Sequence, residues 1–70
     1  MRRFEFVGGS SAKFWEISVD GTDVAVRFGR IGTGGQQQTK SFADAAKARQ
    51  HADKLIAEKT GKGYVECANS

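Results

Sequence analysis

Hydrophobic and polar positions alternate along much of the first 42 residues, which is the period of a β-strand. The alternation runs through four segments, and Gly-Gly, Asp-Gly or other glycine-rich stretches separate them. Asp-Gly between two alternating segments is a strong signal for a tight hairpin turn. Short connections predict that consecutive strands pair as an antiparallel meander. The four predicted strands are residues 3–7, 13–19, 24–31 and 36–42.

Beyond residue 42 the spacing of small and apolar residues changes to that of an α-helix. The apolar positions follow i, i+3 and i+4 spacing, and they are Ala45, Ala48, Ala52, Leu55 and Ile56. Asp44 is the expected N-cap, because its side chain can accept a hydrogen bond from the first helical turn. Gly61 is the expected left-handed residue at the C-terminus of the helix.

The end of the chain adds little to this fold. Residues 62–66 are expected to return to the edge of the sheet as a short last strand, and residues 68–70 are expected to fray. The predicted fold class is α+β, an antiparallel β-sheet of four to five strands with one α-helix packed on one face. Trp15, which lies in phase with Ile17 on the second strand, is expected in the core.

Length and composition limit what this chain can build. Its 70 residues predict a single small domain over 1–70, and Cys67 and His51 are the only residues of their types. They allow no internal disulfide, no multi-cysteine zinc site and few histidine-based sites. His51, beside the helical stripe, is expected to be a partly buried histidine without a chemical role. We expect no metal, no cofactor and a monomeric state.

No apolar run approaches the ~20 residues that a membrane-spanning helix needs. The N-terminus lacks the apolar stretch of a signal peptide. The expectation is therefore a cytoplasmic protein that does not contact a membrane.

The charge distribution favours an anionic partner. The formal net charge is +3, and no acidic residue falls between Asp23 and Asp44, a window that contains Arg27, Arg30 and Lys40. The same window holds an aromatic-Gly-Arg triplet, in which the guanidinium offers a planar fork of donors for phosphate. A turn of several glycines follows it, where exposed backbone N–H groups can approach an anion closely.

This glycine run does not match the nucleotide-binding loops of enzymes. A P-loop requires Lys-Ser or Lys-Thr after its last glycine, but Gln36 follows Gly35. A dinucleotide-binding turn requires a helix next, where the pattern here predicts a strand. No paired carboxylates suit acid–base chemistry, and no residue near Cys67 in sequence activates its thiol. The prediction is that the domain is not an enzyme.

Several motifs in order along the chain resemble the WGR domain, over roughly residues 13–66. They are Lys13-Phe14-Trp15-Glu16, Arg27-Phe28-Gly29-Arg30-Ile31-Gly32-Thr33 with Gly35-Gln36, Lys40-Ser41-Phe42, and Lys59-Thr60 with Lys62-Gly63-Tyr64. The resemblance implies a sheet packed on one helix and a non-catalytic module that binds nucleic acid. In DNA-dependent poly(ADP-ribose) polymerases such a domain binds DNA breaks near the 5′ end, its Trp stacks on the terminal nucleotide, and its Arg also contacts partner domains.

Phe28 stands where that family has its Trp, which gives a smaller stacking surface without an indole N–H. Two alternatives are open for it: an exposed stacking platform, or a core residue in phase with Val24 and Val26. The glycines of the segment either contact a ligand or only form the turn. The candidate nucleic-acid-binding residues are Arg30, Phe28, Gly29, Lys40, Lys13, Arg27 and Tyr64.

Each candidate also has an ordinary explanation. The lysines and arginines can be solvated surface charges, and Tyr64 can be a residue that closes the core. The leading prediction for function is a nucleic-acid-binding module, with DNA favoured and DNA ends as a preferred target. The alternative is a protein–protein interaction module of a larger repair or regulatory assembly.

Overall fold

The computed structural model describes residues 2–67 of the chain, as a five-stranded antiparallel sheet with one helix on one face. This arrangement confirms the predicted α+β fold class. The expectation that residues 68–70 fray lies outside the described residues. The elements are β1 (Arg2–Gly8), β2 (Ser11–Asp20), β3 (Asp23–Arg30), β4 (Gln36–Ser41), α1 (Ala45–Gly61) and β5 (Val65–Glu66).

The strand order in the sheet is β4-β3-β2-β1-β5, and every neighbouring pair is antiparallel. The central strand β2 sets the register, because Trp15 lies opposite Phe4 of β1 and Phe28 of β3. Side chains of a strand alternate between faces, so this register fixes which residues share a face. We call the face under α1 the helix-side face and the other one the open face.

The core lies between α1 and the helix-side face. Its buried members are Phe4, Trp15, Ile17, Val24, Ala48 and Ala52. The two alanines, 0% and 4% exposed, let the helix backbone approach the sheet closely. Trp15 is 4% exposed, and its ring lies 5.5 Å from that of Phe4, which confirms its predicted place in the core.

The open face buries one aromatic ring without any covering helix. Phe14 is only 2% exposed, and the guanidinium carbon of Arg3 lies 4.6 Å from its ring centroid, with that of Arg27 at 5.7 Å. Both arginines donate hydrogen bonds to the Glu16 carboxylate, at 2.8 and 2.9 Å. The arginine side chains and their ion pairs therefore cover the Phe14 ring, as a second layer of helix or sheet would.

The helix begins as predicted and ends differently. The Asp44 carboxylate accepts a hydrogen bond from the Lys47 backbone N–H at 2.8 Å, which confirms the N-cap. The prediction that Gly61 is the left-handed C-terminal residue is wrong. Lys62, the C-cap, keeps right-handed backbone angles, and its N–H still donates to the Glu58 carbonyl. The left-handed residue is Gly63, with φ of +104°.

This shift by two residues places the chain end against β1. A Cβ on Gly63 would lie 3.0 Å from the Phe6 ring, and the Tyr64 ring packs 5.6 Å from Phe6. The backbone N–H of Tyr64 donates to the Lys59 carbonyl at 3.1 Å. The last strand, β5, then pairs with β1 at only two positions.

The β3–β4 turn folds back over the end of β3. A Cβ on Gly29 would lie 2.8 Å from the Gly35 Cα, so only a glycine at position 29 admits the turn. Gly35 has φ of +69°, and a Cβ there would overlap the Phe28 carbonyl oxygen and lie 2.8 Å from Phe14 Cζ. These two glycines have clear structural roles, as the turn-forming alternative predicted.

No helix within residues 2–67 combines the length and the apolar character that crossing a membrane requires.

Gly35→Ala should destabilise the domain by about 2–4 kcal/mol, because it adds a left-handed strain to a steric overlap with the β3 backbone. Urea denaturation followed by circular dichroism measures this. Gly34→Ala is the matched control, since a Cβ at Gly34 meets no atom within 4 Å. It should change the free energy of unfolding by less than about 0.5 kcal/mol. Equal losses in the two variants would contradict the assigned role of Gly35.

Candidate nucleic-acid interface

Two cations lie opposite each other in the strand register at the open end of the β2–β3 hairpin, away from its turn. Lys13 and Arg30 are register partners on the helix-side face, in phase with Trp15 and Phe28. The Lys13 Nζ lies 5.9 Å from the Phe6 ring centroid of β1. Lys13 and Arg30 are both exposed, so both charges are open to an external anion.

The backbone carbonyl of Arg30 is anchored by hydrogen bonds, whereas its side chain forms no ion pair within residues 2–67. The Thr33 hydroxyl and N–H both donate to the Arg30 carbonyl, at 2.7 and 3.1 Å, and anchor the end of β3. Within residues 2–67 the guanidinium of Arg30 has no carboxylate partner, whereas the other strand arginines, Arg2, Arg3 and Arg27, all do. The exposed Arg30 side chain is therefore available to an external anion.

Lys59 of α1 adds a third cation, which the sequence placed in a family motif but not among the candidate binding residues. Its Nζ lies 5.4 Å from the Tyr64 ring centroid and 5.8 Å from that of Trp15. Burial, together with the positive charges of Lys62 and Lys13, lowers the pKa of Lys59. The available signal was its spacing, because Lys59 follows Leu55 by four residues and so lies on the inner side of the helix.

These residues surround a cavity of about 370 Å³, which we call the Arg30 cavity. No acidic residue lines it. Lys13, Arg30 and Lys59 supply its charge, while Phe28 and Tyr64 supply its aromatic surface. The structure thus brings together four of the predicted residues, and Gly29 contributes its backbone to the same cavity.

Phe28 combines both alternatives that its sequence left open. It is partly buried and packs against the core cluster, in phase with Val24 and Val26. It also lines the Arg30 cavity. Part of the ring is therefore available for contact, but it is not a fully exposed platform.

Arg27 does not belong to this group. It pairs with Glu16 across the β2–β3 hairpin, and its side chain lies on the open face. The reason is the period of the strand: Arg27 is one residue out of phase with Phe28. Its guanidinium is occupied by a carboxylate that is 10% exposed, which leaves little capacity for phosphate.

Lys40 shares the helix-side face but lies further along the sheet. It is opposite Val24, whereas Gln36 is opposite Phe28, which is a separation of four residues or about 13 Å along the strands. Its Nζ lies 5.4 Å from the Phe42 ring centroid. Lys40 can contact the same extended ligand as Arg30 but not the same phosphate.

Among residues 2–67 no group of three or more His, Cys, Asp or Glu side chains is arranged to hold a metal ion.

Comparisons with known proteins agree with this fold. The chain is 55% identical, with a TM-score of 0.93, to a solved structure of a protein from Bacteroides fragilis; the match covers 96% of this chain and 19% of that one. It is 47% identical to protein YehF of Escherichia coli (strain K12) over 97% of this chain, and 42% identical to protein YfeS of the same strain over 93%.

The chain spans about a quarter of the length of these two curated relatives. The family model that describes the WGR domain matches residues 1–70. Together with the aromatic-Gly-Arg strand, this match shows that the chain belongs to the WGR domain family.

Proposed function

We propose that this domain binds nucleic acid through its phosphates and catalyses no reaction. Membership of the WGR family favours nucleic-acid binding in general. The observation that carries the proposal is the convergence of Lys13, Arg30 and Lys59 on one cavity without an acidic lining residue. A cavity lined by charges of one sign attracts ligands of the opposite sign.

The proposed ligand is DNA with an accessible 5′-phosphorylated end. A terminal phosphate monoester carries close to two negative charges at neutral pH, and a phosphodiester within a strand carries one. Three converging cations match the terminal group better. The Phe28 and Tyr64 rings would then contact the sugar or base next to it, since contacts of this kind stabilise binding by roughly 1–3 kcal/mol per base.

The Cys67 thiol gives no support to a catalytic role. Burial raises the pKa of the Cys67 thiol, as does the nearby Glu5 carboxylate. A raised pKa disfavours the thiolate, which is the nucleophilic form.

The second candidate function is docking of a partner protein. The chain spans only about a quarter of its curated relatives, so the WGR domain there lies beside other parts of the same protein. The Arg3–Glu16–Arg27 cluster on the open face would be the natural contact surface. This candidate gains support if DNA binding fails in the experiment below.

Arg30→Gln should weaken binding to a 5′-phosphorylated blunt duplex about tenfold at low salt, because it removes a charge-assisted contact to phosphate. Fluorescence anisotropy with a labelled duplex measures this. Arg27→Gln is the matched control: it removes the same charge from the same strand but on the open face. It should weaken binding by less than about twofold.

Thermal unfolding of both variants checks that each is folded. Equal weakening by Arg30→Gln and Arg27→Gln would indicate that only net charge matters and would contradict a localised site.

Binding of the same duplex should raise the pKa of Lys59. In the free domain, burial and neighbouring lysines favour the neutral amine and hold this pKa below 10.5. A phosphate beside Nζ favours the charged form, so binding takes up a proton at pH values between the free and bound pKa. Affinity should therefore fall as the pH rises through the bound pKa.

A nitrogen-15 NMR titration of the lysine side chains, with and without saturating duplex, measures the shift. The exposed Lys54 of the same helix is the internal control, and its signal should not respond to DNA. A Lys59 pKa that is unchanged on saturation would remove Lys59 from the site.

A further inference from the structure

A second cavity adjoins the Arg30 cavity on the helix-side face. It is a groove of about 720 Å³ between α1 and strands β3 and β4, which we call the Leu55 groove. Phe28 and Lys59 line both cavities, so the two share a wall. A ligand that enters one is in position to continue into the other.

The Leu55 groove has an apolar interior with a few polar groups. Val26, Phe28 and Leu55, all partly buried, supply much of the apolar surface, and Trp15 lies beneath them. The polar groups include the Gln38 side chain from β4 and the His51 imidazole from α1. The His51 ring packs 4.8 Å from Phe42, which holds it at this position.

The positive charges that line the groove favour an anionic ligand. Lys59 and Lys40 are its charged lining residues, and no acidic residue lines it. Its volume lies within the range of about 300–1,000 Å³ that is typical of small-molecule sites. An apolar, flat group attached to phosphates suits both the surface and the charge, and a nucleotide has that composition.

We propose that the Leu55 groove receives an unpaired nucleotide, whose phosphate is held in the Arg30 cavity. This inference rests on the proposed function and extends it. The base would lie against Phe28 and Leu55, with its polar edge toward the Gln38 amide and the His51 ring.

An unpaired base suits this arrangement better than a paired one. The groove is lined by α1 on one side and by the sheet on the other, and a paired base is joined to its partner at the edge that would enter. A base outside the duplex has that edge free, and displacing a terminal base costs less than displacing one inside a stack. The ligand of the domain is thus a 5′-phosphorylated end with an unpaired first nucleotide.

The test compares three DNA duplexes that differ at one position. The first is a blunt 5′-phosphorylated duplex, the second carries one extra unpaired nucleotide at the phosphorylated 5′ end, and the third has an abasic residue there. Trp15 is the only tryptophan of the chain and lines the groove, so its fluorescence reports occupancy. The unpaired base should tighten binding at least fivefold over the abasic residue and change Trp15 emission.

A pair of variants on the same strand localises the effect. Gln38 lies on the helix-side face opposite Val26, and Gln37 lies on the open face opposite Arg27. Both are exposed on the edge strand β4, so both substitutions should be tolerated. Gln38→Glu places a carboxylate in the groove and should abolish the preference for the unpaired base. Gln37→Glu adds the same charge on the open face and should keep it.

The outcomes separate this inference from the proposed function. If the blunt duplex binds but the unpaired base binds no better than the abasic residue, the inference is overturned and the proposed function stands. If the two glutamine variants lose the preference equally, the base does not occupy the Leu55 groove. If none of the three duplexes binds, both proposals fail.

Discussion

The register between β2 and β3 is the constraint on which the rest of this structure depends. Trp15 opposite Phe28 places both rings under the helix, and it also places Lys13 opposite Arg30 on the same face. A slip of one residue would exchange the faces of a whole strand, because side chains alternate with a period of two. Burial of Trp15 holds the register, so the stability of the core also keeps Lys13 opposite Arg30 on the helix-side face.

The two faces of the sheet differ in whether their cationic side chains are paired with carboxylates. On the open face, Glu16 pairs with both Arg3 and Arg27, and Glu5 also pairs with Arg3. The two arginine side chains cover Phe14. On the helix-side face, the Arg30 cavity is lined by three cations and, within residues 2–67, by no acidic residue. The described residues build two layers, one sheet and one helix. The open face is covered by its own arginine–carboxylate pairs, whereas the helix-side face carries the Arg30 cavity.

Much of this fold could be predicted because its signals are local. Alternation, the Asp-Gly turn and the Asp44 cap each depend on neighbouring residues, and each appears in the structure. The end of α1 was predicted wrongly, because Gly61 and Gly63 are both plausible by sequence. The choice depends on the contact of the chain end with Phe6, which is distant in sequence.

The candidate site was predictable in part for the same reason. Arg30, Phe28 and Lys13 follow from alternation and family motifs, and the same alternation already separates Arg27 from Phe28. Lys59 comes from the helix, and its approach to Tyr64 requires the docking angle of α1 on the sheet. Sequence periodicity predicts which side of a helix faces the sheet. It does not predict which strand ends that side of the helix contacts.

Amide chemical-shift mapping distinguishes DNA binding at the Arg30 cavity from binding elsewhere on the domain. The labelled domain would be titrated at low salt with a short 5′-phosphorylated blunt duplex and with a closed dumbbell of equal length. We expect shifts at Lys13, Phe28–Arg30, Lys59 and Tyr64, larger for the duplex with free ends. Shifts centred on Glu16 and Arg27, or none at about 0.5 mM DNA, beyond the usual range of non-specific dissociation constants, would contradict this expectation.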